Sequence, residues 1–440
     1  MNRREFFKTT TTSALAFLKI YMGGSIIGTN LLNSQNIKKL KRDPNKIIDL
    51  HSSLNYRVIS TYGDIMDDGY QVPDLPDGMA AIQNGNHTVL VRNHELHPLH
   101  SSKKSAFNKP KSDIKVLGGK HYDPKAFGGT TNLIYDEKSH TVVRQFLSLS
   151  GTSTNCAGGV TPWDTWLTCE ENVNKKNGKK VPHGYVFEVI PKTKVGIQKP
   201  KPIKALGRFN HEAVAFDSYS NAYLTEDRKD GLFYKFKPKN KKNLKSGKLM
   251  ALSILGVGNQ DTRNTSESLY SVGETYETEW IPLEDIDPKE DTLRVEGQEK
   301  GAAIFYRGEG IIYDQTSVFI CCTQGGPLKR GQIWKYTPID EDNGVIELWY
   351  EVRDKRTLNM PDNIAMAPWG DLIVCEDNSD VDRLWGMTPS GKPYLIAENS
   401  HSGAEMAGAC FSPTGNTLFL NLQQNGQTLA VTGNWNSLRG

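Results

Sequence analysis

Apolar residues along this chain come in short runs bounded by Gly, Pro, Asn or acidic residues, and one arrangement of them recurs. A polar residue opens an apolar run, a turn with Pro or Gly follows, a second apolar run comes next, and acidic or polar residues end the unit. The clearest copy runs from Pro361-Asp362-Asn363 through Pro368-Trp369-Gly370 to Val374-Cys375-Glu376-Asp377. Five other segments align with it: Pro76-Asp77 to Asn93-His94-Glu95, Asn155-Cys156 to Cys169-Glu170-Glu171, His211-Glu212 to Thr225-Glu226-Asp227, Gly308-Glu309 to Cys321-Cys322, and Ala407-Gly408 to Phe419-Leu420-Asn421. The same offset separates Cys156 from Cys169, Glu212 from Thr225, Glu309 from Cys322 and Asp362 from Cys375. Each unit predicts a β-hairpin. A fixed-spacing hairpin repeat spread over most of the chain predicts an all-β fold, a β-propeller, with six blades as the expected number. A β-sandwich gives no reason for the repeat. Residues 255–300 break the pattern and are expected to form an irregular insertion between blades, a candidate lid.

Composition fits this picture. The chain has 440 residues with 40 Gly and 21 Pro, which suits many short strands and turns. The net charge of +3 and the scattered basic residues argue against a nucleic-acid partner. The densest basic stretch, Lys237 to Lys248, has no interleaved aromatics and reads as a solvated loop. At the N-terminus, Arg3-Arg4-Glu5-Phe6-Phe7-Lys8 precedes a weakly apolar stretch from about Ala14 to Ile27, the pattern of a twin-arginine export signal. That stretch is too short and polar for a comfortable membrane span. The expected organisation is an export signal over 1–35, a linker over 36–60 and the propeller over 61–440. The partner implied is the twin-arginine export machinery, and the destination is the periplasm or outside the cell. A monomer is expected, because a closed propeller exposes few strand edges.

The chemistry gathers at the repeat ends. In a propeller hairpin the first strand begins and the second ends on one face, so these positions converge at one mouth of the channel. They hold Asp77, Glu212, Glu309 and Asp362 at the starts, and Glu95, Glu170, Glu171, Glu226, Asp227, Glu376 and Asp377 at the ends. So many like charges repel unless cations bind them, and oxygen-rich sets suit calcium. Of the six cysteines, Cys169 stands out because Glu170-Glu171-Asn172 follow it. A thiolate among carboxylates selects a softer or redox-active metal such as iron or zinc. Cys321 and Cys322 are adjacent in a strand and are expected to be reduced. Arg307, two residues before Glu309, is a candidate fork for a phosphate. His94 and His211 are expected to support ligands or fill packing positions rather than bind metal themselves.

These residues also carry a family resemblance. Thr161-Pro-Trp-Asp-Thr-Trp-Leu-Thr-Cys-Glu-Glu-Asn172 closely resembles the signature of PhoX-type alkaline phosphatases, as do Gly207-Arg-Phe-Asn-His-Glu-Ala213, Arg92-Asn-His-Glu95, Tyr223 to Asp227, Pro361-Asp-Asn363, Val374 to Asn378 and the closing Thr428 to Trp435. The resemblance covers nearly all of 61–440. It implies an exported six-bladed propeller that hydrolyses small-molecule phosphomonoesters with ferric iron and calcium. By this carry-over Cys169 is the iron thiolate, Glu212 and Glu309 bind or bridge iron, and Arg307 holds the substrate phosphate. Asp77, Glu95, Glu170, Glu171, Glu226, Asp227, Asp362, Glu376 and Asp377 are divided among the metals. No Ser-His-Asp signature is evident, so attack by water activated at the metals is expected rather than a covalent intermediate. Asp164 stands where the motif usually has Gly, and the chain is shorter than typical members, which bears on substrate range. The rival readings are a gluconolactonase-like propeller with one divalent ion and a non-catalytic binding propeller braced by metals.

Overall fold

The computed structural model describes residues 40–108, 114–174, 180–266, 269–378 and 381–439; the export signal expected over 1–35 lies outside these. Every repeat copy forms the hairpin that its spacing predicts, and most hairpins gain further strands outward. The first blade comprises Pro76–Asn84, His87–His94, Gly128–Asp136 and Thr141–Thr152. The second has three strands, Asn155–Val160, Trp166–Glu170 and Val186–Val189. The third runs His211–Phe216, Ala222–Glu226, Phe233–Asn240 and Asn243–Ile254, and the fourth Gly308–Tyr313, Val318–Cys322, Gln332–Pro338 and Gly344–Glu351. The fifth is Pro361–Met366, Leu372–Glu376, Asp382–Met387 and Pro393–Asn399, and the last Met406–Phe411, Thr417–Leu422 and Gln427–Gly433. The innermost strands neighbour one another in chain order, and Met406–Phe411 returns to lie against Pro76–Asn84. The sheets therefore close a ring about a central channel.

Strands of this fold are apolar on both faces because each sheet is covered by the next. Val89 and Val91 pack with Trp166 and Phe187 of the second blade, while Leu90 between them packs with Phe419 of the last. Leu418 and Leu420 face Ile373 and Ile396 of the fifth blade. Successive side chains point to opposite faces, so one strand contributes to two seams. This is why the strands read as continuous apolar runs rather than alternating ones.

The ring is closed by chain ends. Leu54–Thr61 pairs antiparallel with Gln427–Gly433 as the outer strand of the last blade. Asp49–His51 pairs with Pro393–Asn399 on the fifth blade, where His401 Nε2 lies 2.8 Å from Asp49 Oδ1. The segment over 49–61, most of it within the expected 36–60 linker, thus supplies outer strands to two blades. The 255–300 insertion is also more ordered than its sequence suggests. Thr275–Pro282 pairs with Asn243–Ile254 on one side and Gly344–Glu351 on the other, joining the third and fourth blades at their outer edges. Its Thr, Tyr, Trp and Ile residues favour that extended edge. A short helix, Leu293–Glu299, follows. Asp164 adopts φ 61°, the left-handed turn conformation that aspartate tolerates. Among the described residues, all six cysteines are free and no helix is long and apolar enough to cross a membrane.

Candidate metal centre

Every innermost strand carries a register shift near its start. The shifts fall between Pro76 and Met79, Asn155 and Gly158, His211 and Val214, Gly308 and Ile311, Pro361 and Ile364, and Ala407 and Cys410. A β-bulge re-aims a side chain and bends its strand. The first bulged residues are Asp77, Cys156, Glu212, Glu309 and Asp362, with Gly408 in the last blade. A second set lies just past each second strand: Glu95, Glu171, Asp227, Thr323, Asp377 and Gln423. Each of these donates its backbone N–H to a carbonyl upstream of the bulge, on Leu75, Thr154, Asn210, Arg307, Met360 and Glu405 respectively. Leu75, Thr154, Arg307 and Met360 all adopt positive φ, between 48° and 53°. The same local geometry, repeated around the ring, brings side chains from every blade to one mouth.

The donor atoms of Cys156, Glu171 and Glu212 lie within 4.8 Å of one another, and so do those of Glu212, Glu309 and Asp362. Glu212 belongs to both groups. Asp77 and Glu95 adjoin them, bridged by the Gln423 amide, whose Nε2 donates to Asp77 Oδ2 at 3.0 Å and Glu95 Oε2 at 2.8 Å. Glu405 completes the pool beside Asp362 and Asp77. Arg307 is the cation among them. Its Nε and Nη2 donate to Asp227 at 2.8 and 3.0 Å, Nη2 lies 2.7 Å from Glu309 Oε1, and Nη1 lies 3.4 Å from Asp377 Oδ2. The Glu309 carboxylate beside Arg307 holds the guanidinium firmly charged.

One guanidinium cannot balance this set. Burial, then the neighbouring carboxylates, push Asp77, Glu171, Glu212, Glu309 and Glu405 well above the usual carboxylate range. The same causes raise Asp362 to about 6 and Glu95 to about 7. Burial and then Glu212 and Glu171 push the Cys156 thiol far up. Such a pool is costly without cations and suited to them. Its donor chemistry is divided: a thiol with carboxylates on the side of the second and third blades, and oxygen donors alone toward the first, fifth and last.

Several residues singled out from sequence take other positions. Cys169 lies in the apolar seam between the second and third blades with Leu167 and Val186, and it joins neither donor group. The thiol that does is Cys156, on the bulge, where the other blades place Asp77, Glu212, Glu309 and Asp362. Glu170, Glu226 and Glu376, each the last residue of a second strand, are turned to support their own blades. Glu170 accepts from the backbone N–H groups of Ser153, Gly184 and Tyr185 and lies 2.7 Å from His183 Nδ1. Glu226 accepts from Leu232 N and the Tyr234 hydroxyl, and Glu376 from Asn359 N and Trp385 Nε1. The strand period explains the split: Glu170 and Glu171 are adjacent, so only one of them faces the mouth. His94 and His211 bond to Thr131 and to the carbonyls of Asp74 and Gly207, as expected of packing residues. Asn210 donates to Glu171 Oε1 at 3.0 Å.

Fold and site together define a β-propeller with a buried carboxylate-and-thiol centre at one mouth of its channel. The chain belongs to the PhoX family of alkaline phosphatases: the family model, described as alkaline phosphatase PhoX, matches residues 35–426. Among solved structures, the chain is similar to Pseudomonas fluorescens PhoX in complex with vanadate, a transition state analogue, at 18% identity and TM-score 0.65, covering 88% of this chain and 96% of that one. A gluconolactonase from Xanthomonas campestris aligns at 8% identity and TM-score 0.42, over 86% of this chain and 96% of that one. Virginiamycin B lyase from Staphylococcus aureus aligns at 9% identity and TM-score 0.42, over 86% and 99%. No curated protein sequence matches the chain.

Proposed function

We propose that the centre holds ferric iron and calcium and hydrolyses small-molecule phosphate monoesters to alcohol and inorganic phosphate, in the service of phosphate scavenging. The observation that carries this reading is the shared Glu212, which ties a thiol-containing donor group to an all-oxygen one. Cys156, Glu171 and Glu212 suit iron, since a thiolate favours it over calcium. Asp77, Glu95, Asp362, Asp377 and Glu405 suit calcium. A single divalent ion, as in the gluconolactonase-like alternative, would leave most of these carboxylates uncompensated. Bound cations would neutralise phosphate oxygens, acidify a water and stabilise the leaving oxygen.

The protein's own part is positioning. Arg307 is held at positive φ between Asp227, Glu309 and Asp377, so its fork stays aimed at the mouth. Cations that draw on those carboxylates would free donors of Arg307 for a phosphate oxygen. Burial of the pool keeps water scarce and the electrostatics strong. The twin-arginine reading of the N-terminus supports export to the periplasm or beyond, with the propeller folded and loaded beforehand, and ring closure favours a monomer.

The test compares C156S with C169S. We expect C156S to lose iron and activity on p-nitrophenyl phosphate at alkaline pH, while C169S keeps its iron. Full iron content in C156S would reject the assignment.

A further inference from the structure

Several arginines of the third to fifth blades are committed to carboxylates, whereas Arg208 donates to the carbonyls of Asn174 and Pro288. Arg307 is gripped by Asp227, Glu309 and Asp377. Arg228 pairs with Asp291 at 2.9 Å, Arg263 with Asp261 at 2.6 Å, and Arg383 with Glu398 at 2.9 Å. Arg330 stands on the loop that follows the second strand of the fourth blade. Among the described residues its side chain finds one acceptor, the Met360 thioether, 3.3 Å from Nη1. A thioether is a weak acceptor, and a guanidinium offers five N–H donors.

The loop is fixed against the site. Thr323 donates its N–H to the Arg307 carbonyl and its hydroxyl to the Pro361 carbonyl. The Arg330 carbonyl accepts from Met360 N, and the Met360 carbonyl accepts from Asp377 N at 3.0 Å. Arg330 is therefore one residue removed from Asp377, which itself contacts Arg307. Lys329 and Met360 both hold left-handed backbone, φ 52° and 48°. Non-glycine residues persist there only where the surroundings over-determine them. The half-buried Arg330 is thus carried on a support bonded through Met360 to the segment that holds Asp377, and exposed Lys329 adds a second positive charge.

We propose that Arg330 is a specificity-determining residue that binds an anionic group on the leaving side of the substrate. The preferred class is then phosphomonoesters bearing a second phosphate or a carboxylate, over neutral aryl or alkyl phosphates. This rests on the phosphatase reading above. One phosphoryl group sits at Arg307 and the metals, and the second anion reaches outward to Arg330, whose planar fork accepts it bidentately.

The experiment uses the full metal-loaded protein and R330Q, with R330K as the conservative variant. Calorimetric binding of pyrophosphate should weaken about tenfold in R330Q, a loss of about 1.4 kcal/mol, while orthophosphate binding stays unchanged. In turnover, kcat/KM for a sugar bisphosphate should fall about tenfold through KM, with p-nitrophenyl phosphate unaffected, and R330K should recover part of the loss. Equal losses for both ligands, or no loss for either, would overturn the proposal. Because the binding arm needs no turnover, an inactive wild-type protein would refute the phosphatase reading while still deciding the role of Arg330.

Discussion

Chelating the metals should make this protein's stability depend on pH in a way that the loaded protein's does not. Asp362 is raised to about 6 and Glu95 to about 7 by burial and by neighbouring carboxylates, against 3.8 and 4.5 for the free groups. Each raised unit is worth about 1.4 kcal/mol, so each group carries about 3 kcal/mol. The direction follows from which state ionises first. Well below pH 4 both carboxyls are protonated in the folded and the unfolded chain, and neither costs anything. As pH rises, the unfolded chain ionises while the folded one must hold its protons, so stability falls until pH passes the folded values near 6 and 7. These two groups alone should cost about 5 kcal/mol between pH 4 and pH 7.5, and the more strongly raised Asp77, Glu171, Glu212, Glu309 and Glu405 add to it in the same direction. With an unfolding entropy of about 2 cal/mol/K per residue, the loss from the two groups is a fall in Tm of roughly 6 °C. Bound cations replace the protons and remove the slope. Differential scanning calorimetry of chelated and loaded protein at pH 4.5, 6 and 7.5 reads the difference directly. Parallel Tm curves for the two forms would refute the claim that cations compensate this pool.

Other outcomes follow from the same geometry. Gly408 has φ 63°, and a Cβ there would overlap the Asp77 carbonyl oxygen. We expect G408A to be destabilised by about 1–3 kcal/mol and to lose metal, read by melting and elemental analysis. E170Q and E171Q should separate cleanly. E170Q weakens charge-assisted bonds to the backbone of Ser153, Gly184 and Tyr185, so melting should drop by the equivalent of about 1–3 kcal/mol with metal content retained. E171Q should reduce bound metal with little effect on the fold of the second blade.

Much of this was legible in the sequence, for a physical reason. Strands buried on both faces must be apolar throughout, so hairpins stand out as paired runs of fixed spacing, and their ends mark one mouth. The bulge was not legible. It decides that Cys156 faces the mouth and Cys169 the seam, yet nothing in Asn155-Cys156-Ala157 announces it. The alignment of Cys156 with Glu212, Glu309 and Asp362 was the available signal, and the acidic residues after Cys169 outweighed it. Glu170, Glu226 and Glu376 misled because period two separates each from its acidic neighbour. Gln423 occupies the position of Glu95, Glu171, Asp227 and Asp377 in the last blade, so completing the alignment with polar residues would have found it. Glu405 is offset by one residue from the pattern and carries no sequence signal of its own. The outer strand Leu54–Thr61 reads as polar because an edge strand meets solvent on its far side.

The Gln423 amide joins Asp77 across 346 residues of chain, and Leu54–Thr61 waits for Gln427–Gly433 to complete its sheet. A polypeptide emerging from the ribosome therefore has no finished cation cradle until Gln423 and the strand Gln427–Gly433 have been synthesised. Capture of the ions comes late in maturation, and a prematurely terminated chain would leave its acidic groups exposed as loose, weak chelators rather than as an enzyme.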